Sequence, residues 1–305
     1  MSRILVIGDL NVDLVATGLA HMPELGREHL CSDLAVALGG SSANTACGLA
    51  RLGHTVDMLA CVGDDIFGRF LLQELRNARV GADRVAVHPL LRTGASLSLN
   101  HGNDRAFVTY VGTIDGLAPE DVPADVVAGY DHVHAGSYFL QKRRRARFSE
   151  PLREARRLKI TTSIDVGCDP EGRWDVGDVL AWADVFLPNE VEASGIAHVA
   201  DPEAALLTLA KRVPCVALKL GDTGSLGARS GHVARAEPPR VKCVDSTGAG
   251  DAFNAGFIHG FLGGQSLETC LRMGNMCGAS CVAKSGALPG QPTLAELLEW
   301  FPGMN

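Results

Sequence analysis

The 305-residue sequence is short of aromatics, with three Trp and three Tyr, and it holds no apolar run near the length of a membrane-spanning helix, which needs roughly 20 residues. It also lacks an excess of positive charge. Its 28 basic and 35 acidic residues give a net charge of -7, which excludes general affinity for nucleic acid or an anionic membrane surface. No secretory leader is expected, because the apolar stretch from Ile4 to Ile7 is short and ends at Gly8-Asp9. The nine cysteines contain no Cys-x-x-Cys pair and are odd in number. A disulfide framework and a zinc cluster are therefore not expected. Cys270, Cys277 and Cys281 fall at helical spacing and are expected to pack in the core. Such cysteine usage fits a reducing cytoplasm. Gly-x4-Gly-Lys-Ser/Thr is missing, and Gly8-Asp9-Leu10-Asn11 lacks the second glycine of a dinucleotide fingerprint. The paired His-Arg-Asp and Asp-Phe-Gly motifs of protein kinases are missing too.

What is present is an alternation of short β-branched runs and helical patterns. Strands are expected at 4–7, 56–62, 132–135, 161–165, 185–187 and 215–220. Helices are expected at 43–52, 67–79, 143–158, 202–212, 251–262, 267–283 and 294–300. Ser41 or Ser42 is the expected cap of the first helix. The alternation implies one α/β domain over residues 1–305, with a mostly parallel sheet between helices. Polar–apolar alternation at 96–100 and 106–110 around His101-Gly102-Asn103-Asp104 reads as a hairpin. Together with extended stretches near 11–15 and 28–38 it forms a small second sheet, a lid built from segments of about 10–38 and 92–112. The basic run Lys142-Arg143-Arg144-Arg145, with Arg147, Arg153, Arg156 and Arg157, is expected to be a solvated helix face.

Four segments carry polar chemistry at turns. In Asp245-Ser246-Thr247-Gly248-Ala249-Gly250-Asp251, a glycine turn leads into a helix. Helix N-termini of this kind bind phosphate oxygens, although Asp251 has the alternative of merely capping the helix. Asn11 and Asp13 lie beyond the first strand, two residues apart, and face one side. They suit adjacent hydroxyls of a polyol, with an ordinary polar turn as the plain alternative. Gly39-Gly40 with Asn44 forms another strand-to-helix turn. Asn189 and Glu192 follow the run at 185–187, where they suit hydrated Mg2+ or an acidic helix start. Lys219, Gly221 and Gly224 lie in a glycine turn that suits nucleotide phosphates or is a plain β-turn.

In order and spacing these motifs resemble the ribokinase, or PfkB-type, carbohydrate kinases. Gly39-Gly40 with Asn44, and Val62-Gly63-Asp64-Asp65 with Gly68, resemble the N-terminal signature of that family. The segment from Asp245 to Phe253 resembles the C-terminal signature DTxGAGD, and Asn189 to Glu192 resembles its Asn-x-x-Glu motif. The resemblance implies a three-layer α/β fold with a β-lid. It implies Asp251 as catalytic base and the amides of Gly248, Ala249 and Gly250 as anion hole. Asn11, Asp13, Gly39, Gly40 and Asn44 would then hold the sugar. Asn189, Lys219, Gly221, Gly224 and Asn275 would border ATP, with Glu192 ordering Mg2+ through water. A monovalent cation such as K+ is implied at Asp245 and Thr247, with backbone around Cys281, Lys284 and Gly286. Two departures stand out: Ser41-Ser42 replaces the Lys-Gly of ribokinase proper, and Ser246 replaces a commoner Thr.

The expected activity is transfer of the ATP γ-phosphate to a hydroxymethyl group of a sugar. The alternatives are a nucleoside kinase and a non-catalytic sugar or nucleotide sensor on the same fold. Few lid aromatics, Phe107 and Tyr110, favour a sugar over a base-stacking nucleoside. The intact Asp251 and Gly-Ala-Gly turn argue against the sensor. A cytoplasmic homodimer is expected, since lids of this kind pair between subunits in the family.

Overall fold

The computed structural model describes residues 1–101 and 104–301. The chain begins with β1 (Arg3–Ile7), whose alternating side chains divide between two cores. Ile4 and Val6 join one and Leu5 and Ile7 the other, as expected of a strand buried on both faces. From β1 the sheet grows outward through β4 (Thr55–Gly63) and the edge strand β5 (Val80–His88). On the other side lie β8 (His132–Gly136), β9 (Thr161–Asp165), β10 (Val185–Phe186) and β11 (Cys215–Lys219). All of these pair in parallel. A hairpin of β12 (Ser225–Arg229) and β13 (His232–Ala236) closes the far edge in antiparallel pairing. The sheet order is β13-β12-β11-β10-β9-β8-β1-β4-β5.

One face is covered by α1 (Ser41–Arg51), α2 (Ile66–Asn77), α6 (Ala249–Leu262), α7 (Leu267–Val282) and α8 (Leu294–Glu299). The other face is covered by α3 (Glu150–Arg157), α4 (Glu190–Ala197) and α5 (Pro202–Leu209). The result is the expected three-layer α/β architecture. A second sheet, in the order β3-β2-β6-β7, comprises β2 (Asn11–Thr17), β3 (Asp33–Gly39), β6 (Ala95–His101) and β7 (Asp104–Tyr110). The expected turn at Gly102-Asn103 lies outside the described residues.

Three expectations are corrected. The helix expected at 143–158 starts only at Glu150. Its basic run is not wholly solvated: Arg144 is buried at 2% exposure. The Arg144 guanidinium lies 4.0 Å from the Phe148 ring centroid and donates to Gln141 Oε1 at 2.6 Å. Gln141 in turn donates to the Gly136 carbonyl that ends β8. Packing on an aromatic face lets an Arg be buried where a charge pattern alone reads as surface. Arg147 and Arg157 do lie outside, paired with Glu150 and Glu154. The first helix is capped neither by Ser41 nor by Ser42. Gly40 is its N-cap at φ 98°, and the Asp9 carboxylate accepts from Ser41 N and Ser42 N, both at 2.9 Å. Lastly, β5, which runs through Gly81 from Val80, was not expected. One side of it faces solvent, so its sequence carries no continuous apolar run.

Candidate active site

Asp251, Asn11, Asp165, Asn189 and Lys219 all stand at or beyond carboxyl ends of parallel strands or at the helix that follows them, where open α/β sheets bind ligands. Gly248 is the N-cap of α6 at φ 76°, and a Cβ there would stand 2.5 Å from Ala287 Cβ. Glycine is thus required on both conformational and steric grounds. The first helical bond of α6 is Ala252 N to Gly248 O at 2.9 Å. The preceding amides of the turn therefore have no helical partners and form a positive helix end.

Asp251 does not cap this helix. Its carboxylate turns to α1, where Ser41 Oγ donates to Oδ1 at 2.7 Å and Asn44 Nδ2 donates to Oδ2 at 3.1 Å. Burial pushes its pKa up to about 7, against the Ser41 hydrogen bond, with the Asp165 charge adding to the rise and Lys219 opposing it. A carboxyl poised there can exchange a proton at neutral pH. The buried Asn44 Oδ1 has no partner among the described residues.

Next to this pair, Asn11 Nδ2 donates to Asp13 Oδ1 at 2.9 Å, so the two side chains share one side as expected. Burial raises the Asp13 pKa to about 6. Gly39 faces Asn11 across the β2–β3 pair, and a Cβ on it would stand 2.2 Å from Asp13 Oδ1. Asn11, Asp13, Gly39, Gly40, Asn44 and Asp251 are thereby brought to one place.

The opposite wall contains residues that sequence reasoning missed. Asp165 ends β9 and accepts from Lys219 Nζ and from Asn254 Nδ2, both at 2.7 Å. Lys219 Nζ also donates to Asn254 Oδ1 at 3.1 Å. The Asp165 carboxyl is held below its usual range by Lys219 and Asn254 against its own burial. The Lys219 ammonium is raised, despite burial, by Asp165 and Glu192. Asn254 was legible only as the residue one turn after Asp251, and Asp165 only as the last residue of an expected strand.

Asn189 caps α4 in a reciprocal box. Its Oδ1 accepts from Glu192 N, and Glu192 Oε2 accepts from Asn189 N, both at 2.9 Å. Glu192 is buried, and desolvation with the nearby Asp165 charge pushes its pKa to about 7. Asp165, Glu192 and Asp251 thus set three carboxyls around the Lys219 ammonium.

Beyond Gly250 a cavity of about 700 Å³ opens, lined among others by Gly221, Gly224, Arg235, Arg240, Phe253 and Asn275. Asn275 Nδ2 donates to Ala236 O at 2.9 Å. The residues expected around a monovalent cation also meet. Asp245 accepts from Thr247 N and Gly286 N, each at 2.9 Å, and Cys281 Sγ lies 3.5 Å from Thr247 O. Lys284 joins them through its amide, which donates to Cys281 O at 3.4 Å. Among the described residues no three His, Cys, Asp or Glu side chains form a ready metal cage.

The profile of the pfkB family carbohydrate kinases matches residues 1–294. A sugar kinase of Archaeoglobus fulgidus, itself uncharacterized, is 31% identical over 252 residues, covering 80% of this chain and 98% of that protein. The 2-dehydro-3-deoxygluconokinase of Bacillus subtilis is 31% identical over 298 residues, covering 91% of this chain and 90% of that one. Among solved structures, an E. coli protein described as a ribokinase II, in complex with ATP and Mg2+, superposes with a TM-score of 0.88 at 22% identity over 99% of both chains.

Proposed function

The chain belongs to the pfkB family of carbohydrate kinases and is an ATP-dependent kinase, and from that premise we propose that it phosphorylates a hydroxymethyl group of a sugar with Asp251 as base. The observation that carries this reading is the position of Asp251. Its carboxylate is bonded on one side by Ser41 and Asn44 of α1, whose N-cap Gly40 lies against Asn11, while the glycine turn it follows borders the 700 Å³ cavity on the other.

In the reaction, the sugar hydroxyl gives its proton to Asp251 as its oxygen attacks the γ-phosphorus in line and the bond to the ADP oxygen breaks. Charge then spreads on the equatorial oxygens. The amides of Gly248, Ala249 and Gly250 take that charge at the positive end of α6. Asn11, Asp13, Gly39, Gly40 and Asn44 orient the acceptor. Lys219, Gly221, Gly224, Asn189 and Asn275 border the nucleotide. The carboxyls of Asp165, Glu192 and Asp251 gathered around Lys219 fit a divalent ion carried in on ATP, held by Glu192 through water. Mg2+ would there neutralise phosphate charge. The loops holding Asp245, Thr247, Lys284 and Gly286, with Cys281 at the end of α7, are proposed to take K+ through backbone oxygens.

The lid sheet, whose segments span about 10–38 and 92–112, covers the acceptor and excludes water. It also pairs two subunits. Nine unpaired cysteines support a cytoplasmic location.

The test is ADP release from Mg-ATP over a panel of pentoses, hexoses, sugar acids and nucleosides, with K+ present or replaced by tetramethylammonium. One acceptor is expected to raise turnover far above background, and Asp251→Asn to lower kcat about a thousandfold. A nucleoside as best acceptor would move the reading to a nucleoside kinase. Calorimetric binding without turnover would make the protein a sensor.

A further inference from the structure

We propose that Ser41 is the positioning residue of the base, holding the Asp251 carboxylate ionised and aimed at the acceptor. This rests on the reading of Asp251 as the base. Ser41 occupies the place where ribokinase proper carries Lys, so the role of its side chain does not follow from the family signature.

The geometry is specific. Gly40, at φ 98°, turns the chain sharply into α1. The Ser41 amide is then fixed by Asp9 Oδ2 at 2.9 Å, so its side chain is not used to cap its own helix. Its hydroxyl instead spans 210 positions of sequence to donate to Asp251 Oδ1 at 2.7 Å. Asn44 is one turn further along α1, on the same face, and donates to Oδ2 at 3.1 Å. Both oxygens of one carboxylate are therefore gripped by a single helix, whose own start is fixed by Asp9 at the end of the central strand. The carboxyl plane cannot rotate without breaking a bond to α1. Each oxygen retains a second lone pair for the incoming hydroxyl.

Two donors on one carboxylate favour its charged form. At this position burial pushes the other way, together with the Asp165 charge, while the Lys219 ammonium on the far side acts with the two donors. Asn44 acts through its amide and leaves Oδ1 for the substrate. Ser41 thus supplies the hydrogen bond that offsets burial without adding a cation. A Lys would lower the pKa of the base by full charge and would also attract anions. A hydroxyl does the first in part and the second not at all.

The experiment is the pH profile of kcat/KM for the best acceptor in the natural protein, Ser41→Ala, Ser41→Thr and Asp251→Asn. Losing a hydrogen bond to a charged group is expected to move the acidic limb of Ser41→Ala upward by about one unit, with about a fivefold loss of kcat/KM at pH 7 and unchanged KM for ATP. Ser41→Thr, which keeps the hydroxyl, is expected to restore the limb. The position of the limb does not depend on how much of the variant is folded, so lower stability of Ser41→Ala would not hide the result. If Asp251→Asn abolishes turnover while the limb of Ser41→Ala stays in place, Ser41 does not hold the base and this inference fails alone. If Asp251→Asn keeps its turnover, the base assignment fails and the inference falls with it.

Discussion

At the residue scale the site combines groups that burial makes reactive with a backbone that only glycine permits. Asp251 is raised to about 7 and Glu192 to about 7, both chiefly by desolvation. The turn before Asp251 allows no such adjustment. In a Gly248→Ala variant, the left-handed φ of 76° costs about 1–2 kcal/mol for any Cβ-bearing residue. The added Cβ, 2.5 Å from that of Ala287, would also force the turn away from its loop. We expect the variant to fold with lowered stability and to lose kcat by about a hundredfold or more, since displaced anion-hole donors cost that much. Binding of nucleotide is expected to weaken far less. Steady-state kinetics beside calorimetry with a non-hydrolysable nucleotide separates the two. An Ala variant with normal kcat would remove the anion hole from this turn.

At the element scale the lid is a sheet with two different faces. Paired positions across its strands share a face. Asp13, Ala37, Ser96 and Thr109 form a row on the side proposed to meet the acceptor, where Ser96 Oγ and Thr109 Oγ1 lie 2.9 Å apart. The next row, Val36, Leu14, Leu97 and Val108, points the other way, with Val36 and Val108 48% and 63% exposed. Leu14 packs against the main core, but the exposed Val36 and Val108 call for a cover, and the proposed cover is a second copy of the lid. The natural protein is expected to sediment as a dimer. Val36→Lys with Val108→Lys is expected to give monomers with a raised KM for the acceptor and little change in KM for ATP. A monomeric natural protein, or a variant that stays dimeric, would refute lid pairing. The alternation at 96–100 and 106–110 made this sheet legible in sequence. Asp251 and its turn were equally legible, because a glycine turn beside an acid is a local pattern. What was hidden depends on contacts between distant segments. The burial of Arg144 needs Phe148 and Gln141, the cap of α1 comes from Asp9, and Ser41 meets Asp251 only when α1 and α6 pack side by side.

At the scale of the whole molecule, two populations of buried groups oppose each other in acid. His54 and His134 are lowered to about 4 and His132 to about 3, chiefly by burial, and His259 is lowered for the same reason. Below the unfolded value of about 6.5 these four bind protons in the unfolded chain that they do not bind in the folded one. Each removes up to about 1.4 kcal/mol of stability per pH unit in that window. The site carboxyls do the reverse. Asp13, Glu192 and Asp251 are raised to about 6, 7 and 7, and Asp115 is also raised. As pH falls through those values the folded chain takes up protons that the unfolded chain binds only near pH 4, which restores stability. Between pH 7 and 5 the two sets largely cancel, so the fold should outlast the activity. From pH 7.5 to 5.5, kcat/KM is expected to fall more than tenfold as Asp251 protonates, and to return on neutralisation. The urea midpoint over the same range should move little. Replacing His132 and His134 by Asn would remove part of one side of the balance, and the variant should then gain stability on acidification relative to its own value at pH 7.5. A midpoint that falls steeply alongside activity in the natural protein would mean that acid unfolds the chain rather than silencing its base.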